Sequence, residues 1–160
     1  MQQKIFGTNN DWTGLVTRIS IGLILFPHGA QKLFGWFGGY GFNGTMAFFT
    51  GKMHLPWIIG LLVIIIESIG TLLLIAGFAG RIWSALIVIL MTGILLTSHL
   101  DNGFFMNWFG NQKGEGYEFD LLLIGLSVAT LINGSGRFSI DQLIWKQHTA
   151  KNISGRAQNL

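Results

Sequence analysis

LPWIIGLLVIIIESIGTLLLIAG (Leu55–Gly77) is an apolar run that carries one charged side chain, Glu67. Its length matches the roughly 20 residues a helix needs to cross the hydrocarbon core of a bilayer. A carboxylate at that depth costs on the order of 2.5–3.5 kcal/mol on insertion scales unless it is paired or protonated. The run therefore reads as a membrane helix, and the few polar groups at its depth mark where function should be sought.

Outward from this run, three more segments have the length of a span. The four together cover about 12–34, 55–77, 81–99 and 117–133. Only Phe78, Ala79 and Gly80 separate the second from the third, which predicts a tight antiparallel hairpin, with Gly77 and Gly80 suited to the helix end and turn. Two longer connections, 35–54 and 100–116, hold Trp36, Phe37, Tyr40, Phe104, Phe105, Trp108 and Phe109. Such rings favour the headgroup level, so both read as loops resting at the interface. The first span is interrupted by Arg18, Pro27, His28 and Lys32, with no small-residue cleavage site after it, and reads as a retained helix rather than a signal peptide.

Composition agrees. The 160 residues are 50% apolar and 11% charged, with a mean hydropathy of +0.51, where a soluble domain carries about 25% charged residues. The formal charge of +3 comes with no basic run able to track a phosphate backbone, so no nucleic-acid partner is expected. The absence of cysteine excludes disulfides, thiol catalysis, cysteine-ligated clusters and c-type haem attachment.

Basic residues set the orientation. Lys4, Arg81, Arg137, Lys146, Lys151 and Arg156 fall on the side of the termini and the short turn. Lys52 and Lys113 fall on the side of the long loops, with Lys32 at its edge. Both termini are thus expected in the cytoplasm. After Asn133, a Gly-Ser-Gly turn leads into a short amphipathic helix with Ile140, Leu143, Ile144 and Trp145 on its apolar side, expected at the cytoplasmic interface. The fold expected is all-α: an integral membrane four-helix bundle over residues 1–148, with that interfacial helix at its end and a flexible polar tail over 149–160.

On the first helix, Arg18, Gly22, Leu25, Gly29 and Lys32 share a face at 100° per residue, and His28 shares an edge with Lys32. Counting 1.5 Å per residue from the cytoplasmic end puts Arg18 roughly 9 Å deep and Glu67 roughly 15 Å, which predicts an Arg18–Glu67 intramembrane ion pair. That pair reads either as polar glue between helices or as part of a chemical site. His28, Lys32, His99, Asp101, Glu118 and Asp120 gather toward the outer side. Two histidines at similar depth on different helices can hydrogen-bond a quinone, relay protons or hold a haem, of which the haem is the least expected. No metal site is expected.

Arg18, His28-Gly29-Ala30-Gln31-Lys32, Glu67, Gly77-Phe78-Ala79-Gly80-Arg81, His99, Glu118 and the exit Gly134-Ser-Gly-Arg-Phe-Ser-Ile-Asp141 stand in an order that resembles the DoxX family of small bacterial membrane proteins. The resemblance covers roughly residues 10 to 146. It implies a four-helix, multi-pass protein of the bacterial cytoplasmic (inner) membrane. Members have been linked to quinone-dependent thiosulfate oxidation, quinone detoxification and oxidative-stress complexes. With no appended soluble domain in the sequence, thiosulfate oxidation itself is not the activity expected.

The leading expectation is a membrane subunit of a quinone-linked redox or oxidative-stress system. His28, Lys32, His99 and Glu118 are its candidates for ligand binding or proton transfer, and Arg18 and Glu67 form the inner pair. No covalent cofactor is implied, a quinone is the expected ligand, and haem b is disfavoured. Any partner besides the bilayer would be a redox protein or a second copy of the chain. The alternatives are a non-catalytic scaffold for a redox enzyme and an oligomeric transporter or proton channel.

Overall fold

In a computed structural model, which describes residues 5–157, the chain is all-helical, with no strand among the described residues. Helix α1 (Trp12–Phe34) starts where Asp11 accepts the Gly14 N–H at 2.8 Å, and ends at Gly35 in the left-handed region, φ 74°. Pro27 lies inside it without ending it, one backbone hydrogen bond being forgone.

The segment 35–54 is more than a loop. It forms a short helix α2 (Gly41–Ala47), continued by a wide π turn (Phe48–Lys52), and buries Met46 and Phe49 against Ile64. Gly41, Gly44 and the surface aromatics break any readable periodicity there, so the sequence shows a loop where packing makes a helix.

Helix α3 (Trp57–Ala76) follows Pro56, turns through left-handed Gly77 and Ala79 (φ 69° and 51°), and returns as α4 (Gly80–Asn102). Both contain a π turn, Ile66–Gly70 in α3 and Leu95–His99 in α4. Helix α5 (Glu118–Asn133) packs along α4 and α1. Helix α6 (Ile140–Ala157) carries the expected polar tail as helix through Ala157. Residues 1–4, including Lys4 of the orientation count, and 158–160 of that tail lie outside the described residues.

α3 and α4 are long and apolar enough to cross a membrane. α1 has the length but carries Arg18, His28 and Lys32, and α5 is 16 residues long. The core is shared by all four: Ile21 and Leu25 from α1, Ile66 and Leu74 from α3, Ile87, Leu90 and Met91 from α4, and Leu123 from α5. Outward stand Leu23, Leu72, Ile89 and Ile132, each at least half exposed, an apolar exterior suited to lipid. Against lipid tails, burial contributes little and close packing holds helices together. Gly29 provides that closeness, since a Cβ there would lie 2.1 Å from the Glu67 carbonyl oxygen.

Candidate functional site

A cavity of about 490 Å³ lies at the loop end of the core, within the range usual for small-molecule sites. Leu25, Met91, Ile94, Met106 and Phe119 form its apolar wall, and His28, Lys32, Glu67, His99, Glu115 and Asp120 its polar one. A second cavity of about 240 Å³ sits under the 35–54 segment, and Lys32 lines both.

Glu67 is buried in the π turn of α3, and its Oε2 accepts from Lys32 Nζ of α1. The expected Arg18–Glu67 pair is not formed. Gly29 touches the Glu67 backbone, and Gly29 lies roughly three helical turns, about 16 Å, beyond Arg18. Counting depth from two different helix ends had hidden that offset. Lys32, one turn past Gly29, is the cation at the right height. π turns recur at functional positions because the extra residue re-aims a side chain. Here the π turns of α3 and α4 carry Glu67 and His99.

His99 Nδ1 lies 2.7 Å from Oδ2 of Asp120, the fully buried third residue of α5. A carboxylate on Nδ1 favours the tautomer with the proton on that nitrogen, leaving Nε2 as an acceptor. Asp120 Oδ1 has no donor among the described residues. The cavity thus combines cationic and imidazole donors from α1 with an imidazole–carboxylate pair from α4 and α5.

The remaining candidates divide. His28 lines the cavity one helical turn before Lys32 and is the most open of its polar groups on α1. Glu118 is not on the wall. Its Oε1 accepts from the Met106 N–H at 3.2 Å and Trp108 Nε1 at 3.3 Å, tying the 103–117 loop over the site. Sequence reasoning placed Asp120 in the outer polar cluster but not among the binding candidates, and missed Glu115 and Met106. Asp120 looked like a helix-end group facing water, and no spacing rule connects it or Glu115 to His99.

Arg18 belongs to the other end of the molecule. Its buried guanidinium donates to four carbonyls: Ile75, Ser135 at 2.7 Å, Arg137 at 3.0 Å and Phe138 at 2.9 Å. Asp141, also buried, accepts the Ala79 and Gly80 N–H groups at 2.7 and 3.0 Å and the Ser135 hydroxyl at 2.5 Å, capping α4. Arg81 closes the end of α5 by donating to the Leu131 and Ile132 carbonyls. The arginine and the exit turn that stand out in the sequence are thus a structural clasp.

The sequence profile of the DoxX family matches residues 14–100. A Bacillus subtilis (strain 168) protein named "Putative oxidoreductase CatD" is 31% identical over 140 residues, covering 88% of this chain and 92% of that one. No solved structure matches.

Proposed function

The chain belongs to the DoxX family, and from that membership and the polar wall of its cavity we propose a four-helix membrane subunit that binds a quinone for redox chemistry. It would lie in the bacterial inner membrane with the basic end, Arg81, Arg137 and Lys146, toward the cytoplasm. The single observation that carries the reading is the union of His28, Lys32–Glu67 and His99–Asp120 around one cavity with apolar walls. The relative's name, which calls it an oxidoreductase, points the same way.

Each group has a role that its geometry supports. Lys32, held by Glu67, and His28 donate hydrogen bonds to ring carbonyl oxygens. His99 Nε2 accepts a proton from a ring hydroxyl or returns one, and Asp120 stabilises the imidazolium that forms meanwhile. The Leu25, Met91, Ile94 and Phe119 wall excludes water and favours a flat apolar ring. A quinone exchanges electrons together with protons. The electrons come from a partner protein, a separate bound cofactor or the substrate.

The test is solvent extraction of protein purified in mild detergent, with mass spectrometry of the extract, an absorption spectrum and thermal shifts with a quinone analogue. Co-purified quinone, or stabilisation by the analogue that His28→Ala abolishes, is the result expected. Neither quinone nor any shift would overturn the proposal and leave a membrane scaffold as the simpler account. A Soret band would replace it with a haem site, and ion flux in proteoliposomes with a channel.

A further inference from the structure

At the end opposite the quinone cavity, a hollow of about 510 Å³ opens where α6 departs, with Asn10, Arg137, Phe138, Ile140, Leu143 and Lys146 on its wall. Its charge is one-sided. No acid lines it. Asp141 is turned inward onto Ala79, Gly80 and Ser135, and Asp11 caps α1 and forms no ion pair with Arg137. The Arg137 guanidinium lies over Trp12, 4.6 Å from the ring centre, and 5.5 Å from that of Phe138. It donates no hydrogen bond to any described residue. The two rings therefore hold the cation by cation–π attraction while its N–H groups make no hydrogen bond to a described residue, a state in which an arginine can take a phosphate.

The backbone supports the same reading. Phe138 adopts φ 53°, a left-handed conformation that a bulky residue enters only when the surroundings impose it. The ring so placed is 71% exposed, edge-on to Trp12, itself 58% exposed, and beside Leu143 at 61%. The same conformation turns the Phe138 carbonyl to Arg18 and leaves its ring exposed beside the Arg137 guanidinium. At the rim of a membrane it sets rings among acyl chains and the cation at headgroup height.

We infer that this hollow is a site for an anionic phospholipid, with the phosphate taken by Arg137 and Lys146 and the acyl region lying on Phe138, Trp12, Ile140 and Leu143. A free phosphate ion would use the cations and none of the rings, so the lipid accounts for more of the wall. The site is independent of the quinone reading.

Native mass spectrometry of the detergent-purified protein exposed to equal phosphatidylglycerol and phosphatidylcholine tests it, with thermal shifts against both lipids and inorganic phosphate. Preferential retention of phosphatidylglycerol is expected. Lys146→Ala, at an exposed position, should weaken that retention about fivefold, as for one headgroup-level cation. Arg137→Ala combined with Lys146→Ala should abolish the preference, with helicity by circular dichroism confirming the fold. Equal retention of both lipids overturns the proposal, as does a preference that survives the double variant. Stabilisation by inorganic phosphate equal to that by phosphatidylglycerol also overturns it, reducing the hollow to an anion site.

Discussion

Lys32 and Glu67, 35 residues apart, meet across α1 and α3 at the loop end, where both line the larger cavity and Lys32 also lines the smaller one. The contact depends on Gly29, which lets α1 lie against the Glu67 backbone, and on the π turn that aims the carboxylate. One relationship thus ties helix packing to the chemistry of the site.

Breaking the pair from either side should not cost the same. Lys32→Met strands a carboxylate that is almost fully buried, a loss of about 3–5 kcal/mol. Glu67→Gln leaves a neutral acceptor for the Lys32 ammonium. At the few degrees per kcal/mol usual for this size, Lys32→Met should lower Tm by roughly 10 °C, and Glu67→Gln by less than half of that. Scanning fluorimetry in detergent reads both, and equal shifts would count against a buried pair.

Asp120→Asn separates positioning from folding. The substitution keeps shape and removes the carboxylate that fixes His99, so the ring loses its preferred tautomer. Tm should stay within a few degrees, while the stabilisation given by a quinone analogue should fall about tenfold in apparent affinity, about 1.4 kcal/mol. Nitrogen chemical shifts of His99 are the readout that a packing defect would leave alone. A wild-type ring carrying its proton on Nε2 would sink the assignment.

Arg18→Leu should act through stability and leave the cavity unaffected. It deprives four carbonyls at the clasp of their donor, with buried unsatisfied acceptors costing about 1–3 kcal/mol each. Yield and Tm should drop steeply, by roughly 10 °C or more. Quinone-analogue affinity per folded molecule should not change. A specific loss of affinity at unaltered Tm would return Arg18 to the site.

How far the sequence foretells this depends on whether the cue is local. The Leu55–Gly77 run, the Phe78–Gly80 hairpin and the His28–Lys32 edge are set by length, turn chemistry and helical spacing, and all three are legible. The partner of Glu67 is not, because it depends on relative helix height and on a π turn that departs from 100° per residue. Arg18 invites a search for an acid, whereas its partners are the Ile75 carbonyl and three carbonyls of a turn more than a hundred residues away. Asp120 reads as a helix-end charge and is buried only because α5 docks on α4 beside His99.

Glycine positions provide the sharpest contrast, since the same substitution should have opposite effects at different heights on the helices. At Gly29 a Cβ would meet backbone, the Glu67 carbonyl oxygen at 2.1 Å and carbon at 2.4 Å, so neither partner can rotate away. Gly29→Ala must force α1 from α3, costing about 1–3 kcal/mol or more as overpacking does, and pull Lys32 off Glu67. At Gly93 and Gly125, on the outer faces of α4 and α5, nothing lies within 4 Å of the added carbon. There alanine should be neutral or stabilising by up to about 1 kcal/mol through helix propensity. Thermal shifts of the three variants, measured beside quinone-analogue binding, should show Gly29→Ala losing both stability and affinity. A Gly29→Ala protein as stable as Gly93→Ala would mean that α1 and α3 do not touch at this height, and the Lys32–Glu67 pair would lose its structural basis.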